Sequence, residues 1–376
     1  MFRRVLAIIA KEMRELLRDP IYVALSLLVP VTGIYIMGAG INLDVKNIPM
    51  AVYDRDRSAV SREYISSFIN SDYFRLIGQV DHDTQAEEWM ALGKIRLFIE
   101  IPENFSEKLA ADKPVTVRVA IDGSFPSRAE VITGYVNAIH YQTNNRLLAD
   151  YMRKSGQTTE LPEISPIAIV WYNPTLESKN FIIPGMLAIL LLFYPAILGS
   201  LVVVREKEIG TIYNLYCSPV KGWEVVLGKA IPYIAISFAA YLLLFLLTVF
   251  IFEVKFTGSF FVLSLSALLF LACTVGYGLL LSMLISTQIA AMFITLITTL
   301  MPSLYYSGLL APISGQSMAG KFISVFLPST YFMEVVRGIY LKGATFAVVY
   351  PSLLALVIYL TTLYVLAVIS FRKKVS

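Results

Sequence analysis

Residues 182–204 read IIPGMLAILLLFYPAILGSLVVV, and the next four residues, Arg205 to Glu208, are all charged. A helix needs roughly 20 apolar residues to cross the hydrocarbon core of a bilayer, which is about 30 Å thick. The uncharged run is long enough, and the sudden change to charged residues marks the point where such a helix would leave the lipid. The stretch predicts a transmembrane helix followed by a segment in water.

Similar runs occur on both sides of this one. Uncharged stretches at 21–41, 230–252 and 350–371 have spanning length, and no charged residue occurs between Lys255 and Lys321. That interval is too long for one helix and suits two antiparallel helices, 260–285 and 289–310, with a turn between them. We therefore predict six transmembrane helices.

The composition fits this interpretation. Apolar residues make up 57% of the chain and charged residues 15%, and the mean hydropathy is +0.67. Soluble globular domains are less apolar. The net charge of +4 does not indicate a nucleic-acid partner, because the Lys and Arg residues cluster at the ends of apolar runs. Cys217 and Cys273 predict no disulfide, metal ligand or nucleophile.

The basic residues near the ends of the predicted spans give the orientation. They fall into three groups: Arg3, Arg4, Lys11, Arg14 and Arg18 before the first span; Arg205, Lys207, Lys221 and Lys229 between the second and third; and Arg372, Lys373 and Lys374 at the end of the chain. Short basic loops stay on the cytoplasmic side. Six spans place all three groups and both termini there, whereas a seventh span over 318–341 would send the basic C-terminus outside.

The first residues predict an amphipathic helix. Its apolar half holds Phe2, Val5, Leu6, Ile9, Met13, Leu16 and Leu17. The basic residues fall on the other half, so we expect the helix to lie on the inner membrane face and to end at Asp19-Pro20. A simple basic anchor is the alternative.

Residues 42–180 have the composition of a water-exposed domain. Strand patterns at 48–53, 74–80, 96–101 and 115–121 alternate with helical patterns at 61–68, 85–92 and 105–110. A longer helix over 127–153 follows, and Pro162, Pro166 and Pro174 predict an extended return to the membrane. The predicted fold is an α-helical polytopic membrane protein with a small extracytoplasmic α/β domain inserted between transmembrane helices one and two.

This organisation divides the chain into eight parts. They are an amphipathic cytoplasmic helix (1–20), the first transmembrane helix (21–41), the extracytoplasmic domain (42–180), the second transmembrane helix (181–204), a cytoplasmic segment (205–228), the third to fifth transmembrane helices (229–310), an external re-entrant hairpin (311–347), and the sixth transmembrane helix with its basic tail (348–376).

The predicted spans contain no Asp, Glu, His, Lys or Arg. Ion-coupled transporters and intramembrane enzymes usually need ionisable groups at membrane depth. The energy for any transport must then enter from outside the membrane. Residues 315–321 have the spacing of a phosphate-binding loop, but Phe322 stands where a Mg²⁺-binding Ser or Thr is required. We predict no catalytic residue, no metal site and no cofactor bound by this chain.

The segment after the second span carries the most informative motifs. Glu208-Ile209-Gly210-Thr211 precedes Ser218-Pro219, and Gly228-Lys229 with Pro232-Tyr233 opens the next span. With the amphipathic helix, the large external domain and the stretch Ser307 to Pro312, these motifs resemble the permeases of the second class of ATP-binding-cassette exporters, of the bacterial multidrug or lipid exporter type. The resemblance covers essentially the whole chain.

In that family this segment forms the coupling helix that docks on the ATPase. The resemblance makes Glu206, Glu208, Gly210, Thr211, Ser218 and Pro219 candidate contacts. Ile209, Ile212, Tyr213 and Tyr216 share one helical face, which we expect to pack on the membrane domain, while Arg205 to Glu208 face a polar partner. A solvated loop helix is the alternative. Asn214-Leu215-Tyr216 departs from the family pattern of an acid followed by two leucines, which leaves the choice of ATPase open.

The resemblance also suggests a substrate path and an outer gate. Spans two and five line the path in the family, and here they carry Phe193, Tyr194, Pro195, Tyr305, Tyr306 and Ser307; ordinary helix packing is the alternative. The family places a gate near the re-entrant hairpin, where Glu334 and Arg337 lie three apart on one helical face and are predicted to pair. A purely structural ion pair explains them equally well.

By resemblance, the partners are cytoplasmic ATPase subunits that carry ATP and Mg, a second copy or a sister permease, and membrane lipids. A periplasmic adaptor protein is left open, and no nucleic acid is expected. The resemblance also implies a location in the bacterial inner membrane. Two other functions remain: a membrane-anchored receptor or scaffold that acts through its external domain, and a membrane enzyme acting on lipid-linked substrates.

Overall fold

The computed structural model describes residues 2–40, 47–111, 113–124, 126–154, 177–310 and 313–371. The chain divides into two compact units, one of Met1–Asn42 with Val170–Ser376 and one of Leu43–Ile169. The predicted extended return at Pro162, Pro166 and Pro174 and the basic tail at Arg372 to Lys374 lie outside the described residues.

The secondary structure is mostly helical. The elements follow in this order: α1 Phe2–Arg18, α2 Pro20–Gly40, β1 Ile48–Asp54, α3 Ala59–Ile69, β2 Phe74–Gln79, α4 Asp83–Ala91, β3 Leu97–Ile101, α5 Phe105–Ala110, β4 Arg118–Ile121, α6 Pro126–Lys154, α7 Lys179–Ile209, α8 Ile212–Cys217, α9 Gly222–Leu246, α10 Phe260–Leu284, α11 Gln288–Tyr306, α12 Met318–Val325, α13 Pro328–Lys342 and α14 Phe346–Ser370.

The first unit is a polytopic helical membrane protein. Five described helices are long and apolar enough to cross a bilayer: α7, α9 with a π-helical continuation to Ile251, α10, α11 and α14. Two pairs meet the same criterion only together, and each bends sharply: α1 with α2 by 89°, and α12 with α13 by 87°. The described residues thus hold five candidate spans, or seven if each bent pair counts as one.

Helix α7 lies at the centre of this unit, in contact with α2, α9, α10, α11 and α13. Nearly every side chain from Ile182 to Val204 is buried, as expected for a helix that is apolar on all sides. Its closest neighbour is α10. A Cβ atom at Gly278 would collide with the carbonyl oxygen of Ala196, and one at Gly199 would lie 2.6 Å from the carbonyl oxygen of Val275. The two backbones are therefore in direct contact, which only small residues allow.

Helix α1 packs against α9 along one face. Val5, Ile8 and Leu16 are buried there, while Leu6 and Leu17 are exposed on another side. The buried face also contains Glu12, which the sequence pattern did not single out.

The second unit contains a four-stranded sheet in the order β2-β1-β3-β4. β1 runs parallel to β2 and β3, and β4 is antiparallel to β3. Met50, Val52 and Ile99 face a core that also contains Phe68 of α3 and Val136 of α6. The opposite face of the sheet packs against α4. The fourth strand is shorter than predicted, because only Arg118–Ile121 pairs with β3.

Candidate functional site

The end of α7 differs from the prediction. We expected the helix to stop at Val204 and a separate segment to begin at Arg205. Instead the helix continues to Ile209, so Arg205 to Glu208 form its last turn. Gly210 then ends it with φ +81°, the left-handed conformation that glycine adopts without strain. The predicted segment is therefore a helix end, a sharp turn and the short helix α8.

Glu206 belongs to a buried ion cluster. Its Oε1 lies 3.0 Å from Nζ of Lys11 on α1 and 3.0 Å from Nζ of Lys229 on α9. Lys229 also donates to Oε1 of Glu12 at 2.7 Å. The exposed fractions of Lys229 and Glu12 are 1% and 4%. Charges are tolerated at such depth because they are paired with opposite charges.

This cluster corrects the prediction that no span contains an ionisable residue. We placed the uncharged third span at 230–252, directly after Lys229, but α9 begins at Gly222, where the Glu224 side chain accepts a hydrogen bond from the Lys221 amide at 2.7 Å. That capping contact lengthens the helix, so Lys229 lies inside it. No sequence signal links Lys229 to Glu12, since the two residues lie 217 positions apart.

Lys207 and Glu208 contact the break between α10 and α11. The Lys207 ammonium donates to the carbonyl oxygens of Ser282, Met283 and Ile285 at 2.9, 2.8 and 2.9 Å. The Glu208 carboxylate accepts from the backbone N–H of Gln288 at 2.7 Å and from its side-chain amide. The Lys207 cation thus contacts the C-terminal carbonyl groups of α10, and the Glu208 anion contacts the N-terminal amide of α11. Each charge lies at the helix end that stabilises it.

Arg205 completes the turn. Its guanidinium lies 3.5 Å from the Asp19 carboxylate and 5.1 Å from the centroid of the Tyr22 ring. Asp19 separates α1 from α2. The four charged residues therefore connect the end of α7 to α1, α2, α9, α10 and α11, and we expected them instead to face a partner.

Helix α8 also packs differently from the prediction. Ile212 is buried, but the exposed fractions of Ile209 and Tyr213 are 63% and 61%. Ile212 and Tyr216 pack on the membrane unit as predicted. The prediction is wrong for Tyr213 and Ile209, and the turn at Gly210 breaks the helical register between Ile209 and Ile212. Thr211 is also exposed. Ser218 donates to the Leu215 carbonyl at 2.7 Å, and the Pro219 carbonyl accepts from Arg4 at 2.7 Å.

A cleft of about 710 Å³ separates α1 from α8. Its walls come from three regions of the chain: Lys11, Glu15 and Arg18 of α1 with Asp19 and the first residue of α2, Pro20; Arg205, Glu206 and Ile209 of α7; and Thr211, Asn214 and Leu215 around α8. On a helical wheel, the α1 residues in this wall lie opposite the exposed Leu6 and Leu17. The cleft is therefore on the polar side of α1.

The six predicted path residues have different environments. Phe193 is half-buried, and Tyr194 and Pro195 are buried inside the unit. On α11, Tyr305 is 62% exposed, Tyr306 is half-buried and Ser307 is buried. Helix α11 ends at Tyr306 and not at Leu310 as predicted, since Gly308 turns the chain with φ +89°.

The predicted ion pair between Glu334 and Arg337 is wrong. The Glu334 carboxylate accepts from the Ser352 hydroxyl at 2.7 Å. Arg337 donates to the carbonyl oxygens of Gly308 and Leu309 at 2.6 and 3.2 Å, and its guanidinium lies 3.8 Å from the centroid of the Phe181 ring. Each residue has a nearer partner on another element. Arg337 thereby holds the backbone just after α11.

The fold defines a multi-pass helical membrane protein. At its candidate site the buried helix α7 ends in a charged turn that contacts several other helices, and the short helix α8 lies beside this turn. Within the described residues, no group of three or more His, Cys, Asp or Glu side chains could hold a metal ion. The family model described as ABC-2 family transporter protein matches residues 21–369, and the chain belongs to this family. It is a permease subunit of the ABC-2 type.

Relatives in Escherichia coli match over nearly the full length. The chain is 33% identical to the probable multidrug ABC transporter permease YbhS over 91% of this chain and 89% of that protein. It is 27% identical to the probable multidrug ABC transporter permease YbhR over the whole length of both. It is 24% identical to the inner membrane transport permease YhhJ over 97% of this chain and 96% of that protein.

Proposed function

We propose that this chain is the membrane-spanning half of an ATP-driven exporter in the bacterial inner membrane. It pairs with a second copy or a sister permease, and two cytoplasmic ATPase subunits, which carry ATP and Mg, bind the pair. Six spans place both termini in the cytoplasm and the Leu43–Ile169 unit outside. The substrate is amphipathic, drug-like or lipid-like; the names of YbhS and YbhR describe those two proteins as probable multidrug permeases.

The observation that carries this proposal is that exposed apolar side chains at and beside α8 lie next to the charged end of α7, which is bonded to the rest of the membrane unit. Ile209 and Tyr213 are large, apolar and exposed next to the charged turn. Exposed apolar side chains beside polar groups are typical of protein interfaces. The turn itself is bonded to five other helices, so a force applied at α8 reaches most of the membrane unit.

The cleft between α1 and α8 supports docking from the same side. It opens on the polar side of α1, and its apolar wall residues Ile209 and Leu215 lie among charged ones. A protein partner can fill such a mixed surface, whereas lipid tails would favour the side that carries Leu6 and Leu17.

The substrate path is proposed to run along α11. One side of this helix exposes five large apolar residues at a spacing of four: Ile289, Phe293, Ile297, Met301 and Tyr305. This stripe faces away from its own protomer and offers a surface to a second permease and to an amphipathic ligand. Glu334 and Arg337, near the end of α11, remain the proposed outer gate.

The test is purification of the tagged chain from its native membranes, with identification of copurified proteins by mass spectrometry. We expect an ATPase subunit to copurify with the wild-type chain. Ile209→Asp and Tyr213→Asp should reduce its recovery about tenfold, the effect of losing an interface hot spot. Leu92→Asp changes an exposed apolar residue of the second unit and should have no effect. Wild-type chain that brings down no ATPase would overturn the proposal.

A further inference from the structure

The break between α10 and α11 is exposed and is held from outside by few contacts. Leu284 and Ile289, on either side of it, are 67% and 69% exposed. Among the described residues, hydrogen bonds to backbone groups of 283–288 from other elements come from Lys207 and Glu208. We call these two residues and their contacts the Lys207–Glu208 clamp.

The two halves of the clamp hold helices that differ in how firmly they are packed. Helix α10 is already fixed to α7, because their backbones touch at Gly199 and Gly278. The Ser282 hydroxyl also accepts from the Val203 and Val204 amides at 2.9 Å. Lys207 therefore adds to a firm interface, and α7 and α10 form one rigid pair.

Helix α11 is less buried than α10, and it contacts α7 along one face. Its buried residues are small and lie at a spacing of four: Ala291, Thr295, Thr299 and Ser303. Leu300 and Leu304 are partly buried against the core beside them. Small side chains let two helix backbones approach closely. The polar contacts at the two ends of α11 add to this packing.

Polar contacts hold α11 at both ends. At its start, both Glu208 oxygens bind Gln288. At its far end, the Ser303 hydroxyl lies 2.8 Å from the Ser329 hydroxyl, and Arg337 binds the carbonyl oxygens that follow the helix. The link nearest to α8 is therefore Glu208, which lies two residues before Gly210 on the rigid pair.

We infer that Glu208 is a positioning residue that makes α11 follow α7 when a partner displaces α8. The inference rests on the proposed function, since it assumes that an ATPase moves α8. The role inferred for Glu208 is distinct from ATPase docking. Glu208 acts within the chain, through Gln288, on α11, the helix proposed to line the substrate path. Without this link α8 and α7 would still respond to the partner, but α11 would not.

A reciprocal exchange tests the link. Gln288→Glu puts two carboxylates face to face and breaks it, although a negative charge at the start of α11 favours the helix itself. Adding Glu208→Gln restores both hydrogen bonds: the new amide oxygen accepts from the backbone N–H of residue 288 as before, and the new amide nitrogen donates to the new carboxylate, so that only the side-chain pair has its roles reversed. Thr287→Ala is the matched control, because the Thr287 hydroxyl caps α11 locally and takes no part in the clamp.

The measurement is backbone hydrogen exchange of the intact permease–ATPase complex in nanodiscs, with and without ATP and vanadate. In the wild type, exchange in α8 and in α11 should both change on nucleotide binding, by about fivefold or more. Gln288→Glu should keep the change in α8 and lose it in α11, and the double variant should recover it. Thr287→Ala should raise α11 exchange in both states and preserve the difference between them.

The outcomes separate the two proposals. If α8 and α11 of Gln288→Glu both respond as in the wild type, or if the double variant does not recover the response, Glu208 is only a local contact. If wild-type α8 responds and α11 does not, the inference is also wrong. If wild-type α8 itself shows no response, the proposed docking of the ATPase at α8 fails.

Discussion

The Lys229 ammonium lies 2.7 Å from the Glu12 carboxylate, and both side chains are buried. This contact joins α9, a candidate span, to the amphipathic α1. Glu206 of α7 shares the same ammonium at 3.0 Å. Three helices therefore meet at one buried cation, and the position of α1 depends on it.

Removing Lys229 should destabilise the protein strongly. Lys229→Met removes the buried partner of the Glu12 carboxylate and leaves only the half-exposed Lys11 at 3.7 Å; breaking a buried pair costs about 3–5 kcal/mol. Lys229→Met combined with Glu12→Gln should recover part of this loss, because no unpaired charge remains. Thermal unfolding in nanodiscs measures both. Lys11→Met, which removes a half-exposed member of the same cluster, should change stability by less than about 1 kcal/mol.

The contact between α7 and α10 should not tolerate a side chain at Gly278. Gly278→Val forces the two backbones apart, since its Cβ would overlap the Ala196 carbonyl oxygen. We expect little folded protein in fluorescence-detected size-exclusion chromatography. Gly134→Val is the control, because a Cβ there meets no atom within 4 Å. Normal folding of Gly278→Val would show that the close approach is not needed.

The turn at Gly210 can be tested with two substitutions of similar size. Gly210→Val places a β-branched residue at φ +81° and strains the turn by about 1–2 kcal/mol, whereas asparagine tolerates this conformation. Gly210→Val should reduce both ATPase recovery and ATPase activity of the complex, and Gly210→Asn should preserve them. Since a Cβ here has open space around it, equal behaviour of the two variants would mean that the turn geometry is unimportant.

The second unit should lose stability in mild acid. The Tyr64 hydroxyl lies 2.7 Å from Nδ1 of His140, and burial lowers the pKa of His140. A histidine with a lowered pKa binds protons more readily in the unfolded chain. Its contribution to stability is therefore present above the unfolded pKa of about 6.5 and is lost as the pH falls below it.

The variant His140→Gln isolates this effect. Its unfolding temperature should fall less than that of the wild type between about pH 7.5 and pH 5.5. Differential scanning fluorimetry of the intact protein provides the measurement, with His82→Gln as the control. Equal pH dependence in the wild type and His140→Gln would contradict the prediction.

The proposed topology can be tested with single cysteines in a Cys217→Ser, Cys273→Ser background. Lys221→Cys should react with a membrane-impermeant maleimide only after the membrane is opened. Ser124→Cys and Lys321→Cys should react in sealed cells with a permeable outer membrane. Labelling of Ser124→Cys only from the cytoplasmic side would reverse the proposed orientation and remove the basis for docking at α8.

The sequence alone determined the helices and strands whose signal is local. The helices predicted at 260–285 and 350–371 are α10 and α14, and the strand predicted at 48–53 is β1, each within a few residues. Long uncharged runs and alternating patterns need no knowledge of distant residues, because lipid or a sheet core selects them directly. The family was likewise recognisable from the sequence, and its family model matches residues 21–369.

The tertiary structure decided which charged side chains meet. Glu12 and Lys229 are 217 residues apart, and Lys207 and Glu208 reach α10 and α11 across about 75 to 80 positions of sequence. Glu334 and Arg337 were predicted to pair from their helical spacing, yet Ser352 and the carbonyl oxygens after α11 lie nearer in space. A charge in a packed interior binds whatever group folding brings within about 3 Å, and sequence spacing reports only neighbours on the same helix.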